Sequence, residues 1–176
     1  MPKVGQKWKV RGVLFALLLT FAFSEKEIEK LGDSYQIALP VIALGCSVAN
    51  GQALDYALRY VVQWGVVHTF KQILGTTQIN QRPNGNYRGM PSGHTATAVF
   101  GASNIVHQCI RKNPAAQVVV LLTAGFVGAS RIDAAAHNIW QVLAGAIVGW
   151  LGDRAFRRIS PLSWARRLAG KARPKP

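Results

Sequence analysis

Uncharged segments dominate the pattern of apolar and polar positions along this chain. No Asp, Glu, Lys or Arg occurs in six stretches, which are 12–24, 34–54, 60–70, 89–110, 113–130 and 134–152. Several of these stretches approach the ~20 residues that a helix needs to cross a bilayer. A soluble bundle would need charged faces on nearly every helix. The pattern therefore predicts an all-α fold, a six-transmembrane-helix bundle in residues 1–160, followed by a basic tail, 161–176.

The composition restricts the remaining classes of protein. Hydrophobic residues make up 49% of the chain, which argues against disorder. The two cysteines are too few for a disulfide-stapled scaffold or for a zinc site with four thiolates. The mean hydropathy is only +0.14, so a soluble bundle with buried core helices is the alternative to a membrane protein.

The net charge of +14 fits either a nucleic acid or a membrane surface as partner. The positions of the cations separate the two. With six spans and both termini in the cytoplasm, fifteen of the 21 Lys and Arg residues lie on the cytoplasmic side, in agreement with the positive-inside rule. We therefore expect a bilayer and no nucleic acid as partner, with the cytoplasmic tail 161–176 on the anionic inner leaflet.

The first 24 residues allow two interpretations. A basic start, an apolar run and Ala22-Phe23-Ser24 resemble a cleaved secretory signal. We expect instead an uncleaved first span, because the run lacks a clean A-x-A site. The following residues, 25–30 (EKEIEK), are predicted to form a short amphipathic helix or loop at the outer membrane surface.

Three groups of polar residues fall on the outer side of this arrangement. They are Lys71 with Arg82, the segment 91–94 that opens span four, and Ser130-Arg131 with His137. The cations can clamp a dianion. Ser92 suits a helix N-cap, and Gly93 allows a ligand to approach the anion-binding end of that helix closely.

The same groups contain two histidines, His94 and His137, and little acid. Imidazoles at a phosphate site suit the roles of nucleophile and general acid. Asp133 is the only carboxylate in the three groups, whereas a two-metal phosphatase needs several to hold its ions. We therefore expect a reaction without metal or other cofactor, in which cations stabilise the developing charge.

The residues RP (82–83), PSGH (91–94) and SRIDAAAH (130–137) resemble the three signature motifs of the phosphatidic acid phosphatase type 2 superfamily. The resemblance covers about residues 55–155. It implies that His137 attacks phosphorus to form a phosphohistidine and that His94 protonates the leaving oxygen. It further implies that the phosphoryl oxygens are held by Lys71, Arg82, Ser92, Gly93 and Arg131.

The chain departs from the family pattern at two positions. Gln141 stands where the family has an acidic residue, four after the nucleophile. Its carbonyl can orient the His137 ring on a shared helix face, but it supplies no negative charge. Lys71 lies eleven residues before Arg82 instead of seven, so either Lys71 reaches the site across a longer loop or that contact is absent. Arg88 could supply a replacement cation.

The resemblance implies a phosphatase that acts on a lipid monophosphate or diphosphate. Candidate lipids are lipid A, undecaprenyl diphosphate and phosphatidylglycerophosphate, with a lean towards the lipid A 1-phosphatases. In a bacterium the active site would lie at the outer (periplasmic) face of the inner membrane. The alternatives are a phosphotransferase, a weakened lipid-phosphate binding protein, a membrane scaffold or transporter subunit, and a soluble acid phosphatase behind a cleaved signal. The oligomeric state is not predicted.

Overall fold

A computed structural model of the chain describes residues 5–24, 27–155 and 157. The predicted tail 161–176 lies outside the described residues. Within them the fold consists of six α-helices, a single 3-10 turn (Gln78–Asn80) and no strand, which confirms the all-α prediction. The helices are α1 (Gln6–Phe23), α2 (Ile28–Ala49), α3 (Ala53–Ile73), α4 (Gly93–Gln108), α5 (Pro114–Asp133) and α6 (Ile139–Arg154).

Local capping signals set the starts of the last three helices. The Ser92 side chain caps α4, and the Asn113 side chain caps α5, where Pro114 occupies the first helical position. Asn138 begins α6 in a capping box with Gln141, whose own side chain turns back to the Asn138 backbone. These caps place the residues of the second and third motifs at helix ends, where their polar atoms face the connections.

The helix ends gather at two opposite ends of the bundle. At one end, Lys9 of α1 donates to Asn50 at 2.5 Å, and Asn50 donates to the Gln108 carbonyl at 3.0 Å. The predicted phosphate-binding groups lie at the other end. Helix α4 occupies the centre and makes its most extensive contacts with α2 and α6. The site therefore sits where the central helix begins.

Glycines allow the central helix to pack closely against its neighbours. A Cβ atom at Gly101 would lie 2.6 Å from the Leu39 carbonyl carbon of α2. Added Cβ atoms at Gly145 and Gly149 of α6 would likewise overlap Ser92 and the Ala96 backbone. Small residues at these positions let the backbones approach, as in helix packing within membranes.

A buried polar cluster holds the helices together at the end opposite the site. The fully buried carboxylate of Asp153 accepts hydrogen bonds from Ser103 at 2.5 Å and Asn104 at 3.1 Å, and it pairs with Arg157. A disulfide between Cys46 and Cys109 joins α2 to α4 near the same end. The hydrogen bonds offset part of the cost of burying the charge.

Two helices, α2 and α5, are long and apolar enough to cross a membrane by length and composition. Large apolar side chains are exposed along the bundle, as at Phe15, Ile37, Trp64, Leu122 and Trp140. Surface of this kind suits contact with lipid or with another protein. The other four spans remain a prediction.

One sequence expectation is wrong in its detail. The sequence predicts a short amphipathic helix or loop at the membrane surface over residues 25–30, but Ile28–Lys30 are the first turn of the long helix α2. Glu25 and Lys26 lie outside the described residues. The consequence is that the acidic residues Glu29 and Asp33 sit on a bundle helix next to the site.

Candidate active site

A cavity of about 360 Å³ opens at the end of the bundle where α4 begins. Five predicted site residues line it together: Lys71, Arg82, Gly93, His94 and His137. The other predicted residues lie just outside its lining. Ser92, Arg131 and Gln141 are buried behind it, with no more than 3% of their surfaces exposed.

His137 lies in the connection between α5 and α6 and is 3% exposed. Its Nδ1 atom is 3.2 Å from Oε1 of Gln141. A carbonyl oxygen only accepts hydrogen bonds, so Nδ1 carries the proton and Nε2 keeps its lone pair. Gln141 therefore contacts the ring at Nδ1, and Nε2 is left with the lone pair that a nucleophile would need.

The amide nitrogen of Gln141 has a second function that the sequence analysis missed. It donates to the carbonyls of Ile79 at 3.2 Å and Gln81 at 2.8 Å, in the loop that carries Arg82. Both amide hydrogens are thereby used, which also fixes the assignment of the nitrogen and the oxygen. A Cβ atom at Gly89 would overlap this amide. An acidic residue at position 141 could not make either donation.

The surroundings of His137 favour its neutral form. Burial lowers the pKa of His137 to about 4, and the positive charges of Lys71 and Arg82 act in the same direction. The hydrogen bond with Gln141 opposes this shift only in part. At neutral pH the ring is unprotonated, which is the state that a nucleophilic imidazole needs.

Lys71 and Arg82 meet at one acceptor despite their long separation in sequence. Lys71 Nζ donates to the Arg88 carbonyl at 2.6 Å, and Arg82 Nη2 donates to the same oxygen at 3.3 Å. Arg88 has a φ of 68°, an uncommon value for a residue with a Cβ atom. An oxygen between two cations marks a position suited to an anionic ligand atom.

Asn80 holds the long loop against α3. It is fully buried, and its amide nitrogen donates to the carbonyls of Lys71 at 3.1 Å and Gly75 at 2.6 Å. Its side-chain oxygen accepts from the Met90 N–H at 2.9 Å. The sequence presents Asn80 only as a turn former, because nothing in the local pattern indicates that its side chain spans both ends of the loop.

Ser92 acts as the N-cap of α4. Its Oγ accepts from the Thr95 hydroxyl at 3.0 Å, and its backbone N–H donates to the main-chain carbonyl of Gln141 at 2.8 Å. These bonds hold Gly93 and His94 at the cavity wall, where the free N–H groups of the first turn suit an anion.

Arg131 turns towards α2. Its guanidinium donates to the Glu29 carbonyl at 2.7 Å, and Nη1 lies 3.0 Å from Oδ1 of Asp33. The same Asp33 oxygen is 3.3 Å from Nε2 of His94. Asp133, the carboxylate that the sequence offers nearest to His137, is exposed at the end of α5. The acidic partners of the site were therefore missed, since the sequence places Glu29 in a surface segment.

Comparisons with known proteins agree with this constellation. The model of the PAP2 superfamily matches residues 11–164. The chain is 30% identical to a protein named lipid A 4'-phosphatase from Helicobacter pylori (strain J99 / ATCC 700824), over a 176-residue alignment. That alignment covers 89% of this chain and 87% of the relative. No solved structure gives a significant match.

Proposed function

The chain belongs to the PAP2 superfamily, and from this membership we propose that it is a membrane lipid phosphatase acting through a phosphohistidine. The observation that carries the proposal is the cavity that brings His137 and His94 together with Lys71 and Arg82. A neutral imidazole, a second imidazole and two cations are the groups that metal-free phosphoryl transfer needs.

In the first step, Nε2 of His137 attacks phosphorus while the bond from phosphorus to the lipid oxygen breaks. His94 donates a proton to that leaving oxygen. In the second step, a water attacks the phosphohistidine, and His94 takes the proton from the water. Inorganic phosphate leaves and both histidines return to their starting states.

The phosphoryl oxygens would be held from three directions. Lys71 and Arg82 would exchange the Arg88 carbonyl for phosphate oxygens, and the Gly93 N–H would add a neutral donor at the start of α4. Ser92 and Arg131 are proposed as further phosphate ligands. Each would have to release present partners, which are Thr95 for Ser92 and Glu29 with Asp33 for Arg131.

A lipid phosphate is the proposed class of substrate. Beside the catalytic cavity an apolar groove of about 330 Å³ runs between α2 and α3, and the two share Gln36, Tyr60 and Thr97. A phosphate in the cavity would leave the attached apolar chain next to this groove. The name of the relative from Helicobacter pylori favours lipid A over undecaprenyl diphosphate and phosphatidylglycerophosphate.

The proposed location is the bacterial inner membrane, with six spans, both termini cytoplasmic and the active site at the periplasmic face. The arrangement of the helices supports this proposal. Each of the six described helices runs from one end of the bundle to the other, and the connections between them alternate between the two ends. The distribution of cations supports the orientation.

The test measures phosphate release by the detergent-purified protein from a panel of lipid phosphates, with chelator present. We expect release from at least one lipid, complete loss in His137→Ala, and near wild-type release in His107→Ala, since His107 lies at the opposite end of α4. Rapid quenching should trap an acid-labile phosphoryl group on wild type only. Unchanged release by His137→Ala would exclude the mechanism. Lipid binding without release by wild type would indicate a binding protein of the same fold.

A further inference from the structure

Asp33 of α2 connects two groups of the site that the sequence separates by many residues. One of its carboxylate oxygens lies 3.3 Å from His94 Nε2 and 3.0 Å from Arg131 Nη1. The side chains of Asp33 and His94 are about half exposed, whereas that of Arg131 is buried. A single buried oxygen of Asp33 therefore lies within ion-pair distance of both the histidine and the arginine.

The two histidines proposed for catalysis differ in the charge of their side-chain partners. His137 is bound to Gln141, a neutral amide, in the place where the family has an acidic residue. His94 lies against Asp33, a carboxylate. Among the described residues, the carboxylate at a catalytic histidine thus belongs to the predicted general acid and not to the predicted nucleophile.

The surroundings of His94 disfavour a positive charge on its ring. Burial has the largest effect, and the cations Arg131, Lys71 and Arg82 act in the same direction. His137 faces the same cavity. Asp33 supplies an opposing negative charge within ion-pair distance of Nε2, which leaves Nδ1 as the nitrogen that can exchange a proton.

We propose that Asp33 is a positioning residue for the general acid–base His94, a role that rests on the proposed phosphatase function. The Asp33 carboxylate attracts the Nε2 edge of the His94 ring by charge, so that the Nδ1 proton passes to the leaving lipid oxygen when the phosphorus–oxygen bond breaks. In the second step Nδ1 regains a proton from the attacking water.

A comparison of two substrates and two variants tests the proposal. A lipid phosphate expels an alcohol, which needs a proton, whereas p-nitrophenyl phosphate expels a stable phenolate, which does not. Asp33→Asn should lower kcat/KM for the lipid by on the order of 100-fold, the usual size of a general-acid contribution, and change it for p-nitrophenyl phosphate by about threefold or less.

Glu29→Gln is the matched control. Glu29 also contacts Arg131, at 3.5 Å, but the carboxylate next to His94 is that of Asp33. This variant should leave the ratio of the two kcat/KM values unchanged. An equal loss on both substrates in Asp33→Asn would overturn the proposal and leave Asp33 as an anchor of Arg131. Absence of release by wild type from p-nitrophenyl phosphate and from every lipid of the panel would instead refute the phosphatase function itself.

A second comparison applies if Asp33→Asn does not fold. Asp33→Asn combined with Arg131→Gln removes both charges of the ion pair, so that neither is left unpaired. For this double variant and for Arg131→Gln alone, kcat/KM for the lipid phosphate is divided by kcat/KM for p-nitrophenyl phosphate. A quotient that is roughly 100-fold lower in the double variant supports the proposal, and equal quotients overturn it.

Discussion

The side-chain amide of Gln141 donates a 2.8 Å hydrogen bond to the main-chain carbonyl of Gln81. The oxygen of the same amide receives the ring N–H of His137 at 3.2 Å. One buried side chain therefore couples the proposed nucleophile to the loop segment that presents Arg82. An acidic residue could still accept the ring N–H of His137, but it could not donate to the carbonyl of Gln81.

Replacing this amide with an acid should harm the protein. Gln141→Glu keeps the length of the side chain but leaves the carbonyls of Ile79 and Gln81 facing a carboxylate. Since an unsatisfied buried polar group costs about 1–3 kcal/mol, we expect a lower melting temperature. We also expect a loss in kcat/KM of roughly 10-fold or more, because a loss of 1.4 kcal/mol in positioning corresponds to tenfold.

Gln117→Glu is the control for this substitution. The Gln117 amide also donates to two carbonyls, those of Ile110 and Arg111, but at the opposite end of the bundle. It should lower stability without a selective loss of activity. A gain in rate in Gln141→Glu or Gln141→Asp would show that charge at this position matters more than the two donated bonds.

The pH dependence of activity should reflect the low pKa of His137. Burial brings that pKa to about 4, so the His137 ring stays neutral at pH values well below the usual pKa of histidine. The acidic limb due to His137 should therefore fall near pH 4. The folded state also loses stability as the pH falls from about 6.5 towards 4, because the unfolded chain binds the proton more readily.

The measurement is the ¹⁵N chemical shift of the His137 ring in histidine-labelled protein, assigned with a His137→Gln sample. It reports the ring directly and avoids the titration of the substrate phosphate near pH 6. A midpoint close to 6.5 would contradict the neutral, desolvated state that we describe.

Lys71 should bind phosphate in spite of its unusual spacing. Its ammonium and the guanidinium of Arg82 share one carbonyl acceptor, and phosphate would replace that acceptor. Lys71→Met, which keeps an unbranched apolar stem, should weaken inhibition by vanadate and lower kcat/KM by on the order of 10²-fold, as expected for loss of one charge-stabilising donor.

Lys112→Met provides the control, since Lys112 lies in the connection between α4 and α5 at the far end of the bundle. It should bind vanadate as wild type does. Wild-type vanadate affinity in Lys71→Met would show that the longer loop removes this lysine from the phosphate site.

The proposed orientation can be read from single cysteines introduced into a Cys46→Ser, Cys109→Ser background. Asn84→Cys, in the loop at the active-site end, should react with a membrane-impermeant maleimide in intact cells. Lys112→Cys should react only after permeabilisation. The reverse pattern would place the site in the cytoplasm.

The disulfide between Cys46 and Cys109 bears on the proposed orientation. Cys46 and Cys109 lie near the end that we assign to the cytoplasm, where thiols are normally kept reduced. Both cysteines are about 95% buried, which restricts access of reductants. Counting free thiols in protein denatured under alkylating conditions shows whether the bond is present in cells.

The sequence predicts the helices well because charge is excluded from long runs and confined to their ends. It also predicts the lining of the cavity, because the motif residues lie at helix ends that face one side. His94, His137 and Arg82 follow from type and position alone. Lys71 does not, since only the path of the loop brings it to Arg82.

The missed residues share one physical cause, which is that their function depends on contacts with distant segments. Asp33 lies four residues after Glu29, and both resemble solvated charges at the start of a helix until Arg131 packs against them. Asn80 lies in a loop rich in Asn and Gly, where an asparagine is typical of a turn. The hydrogen bonds that the Gln141 side-chain nitrogen donates could not be predicted, because their acceptors are backbone carbonyls and every residue has one.

The close packing of α6 against α4 has a consequence for changing the range of substrates. Gly145 faces Ser92, and Gly149 faces the Ala96 backbone, with no room for an added Cβ atom at either glycine. Substitutions along this seam would push His94 out of position before they reshaped the cavity. Directed evolution towards new leaving groups should therefore be aimed at the residues of α2 and α3 that line the apolar groove, with the α4–α6 seam left untouched.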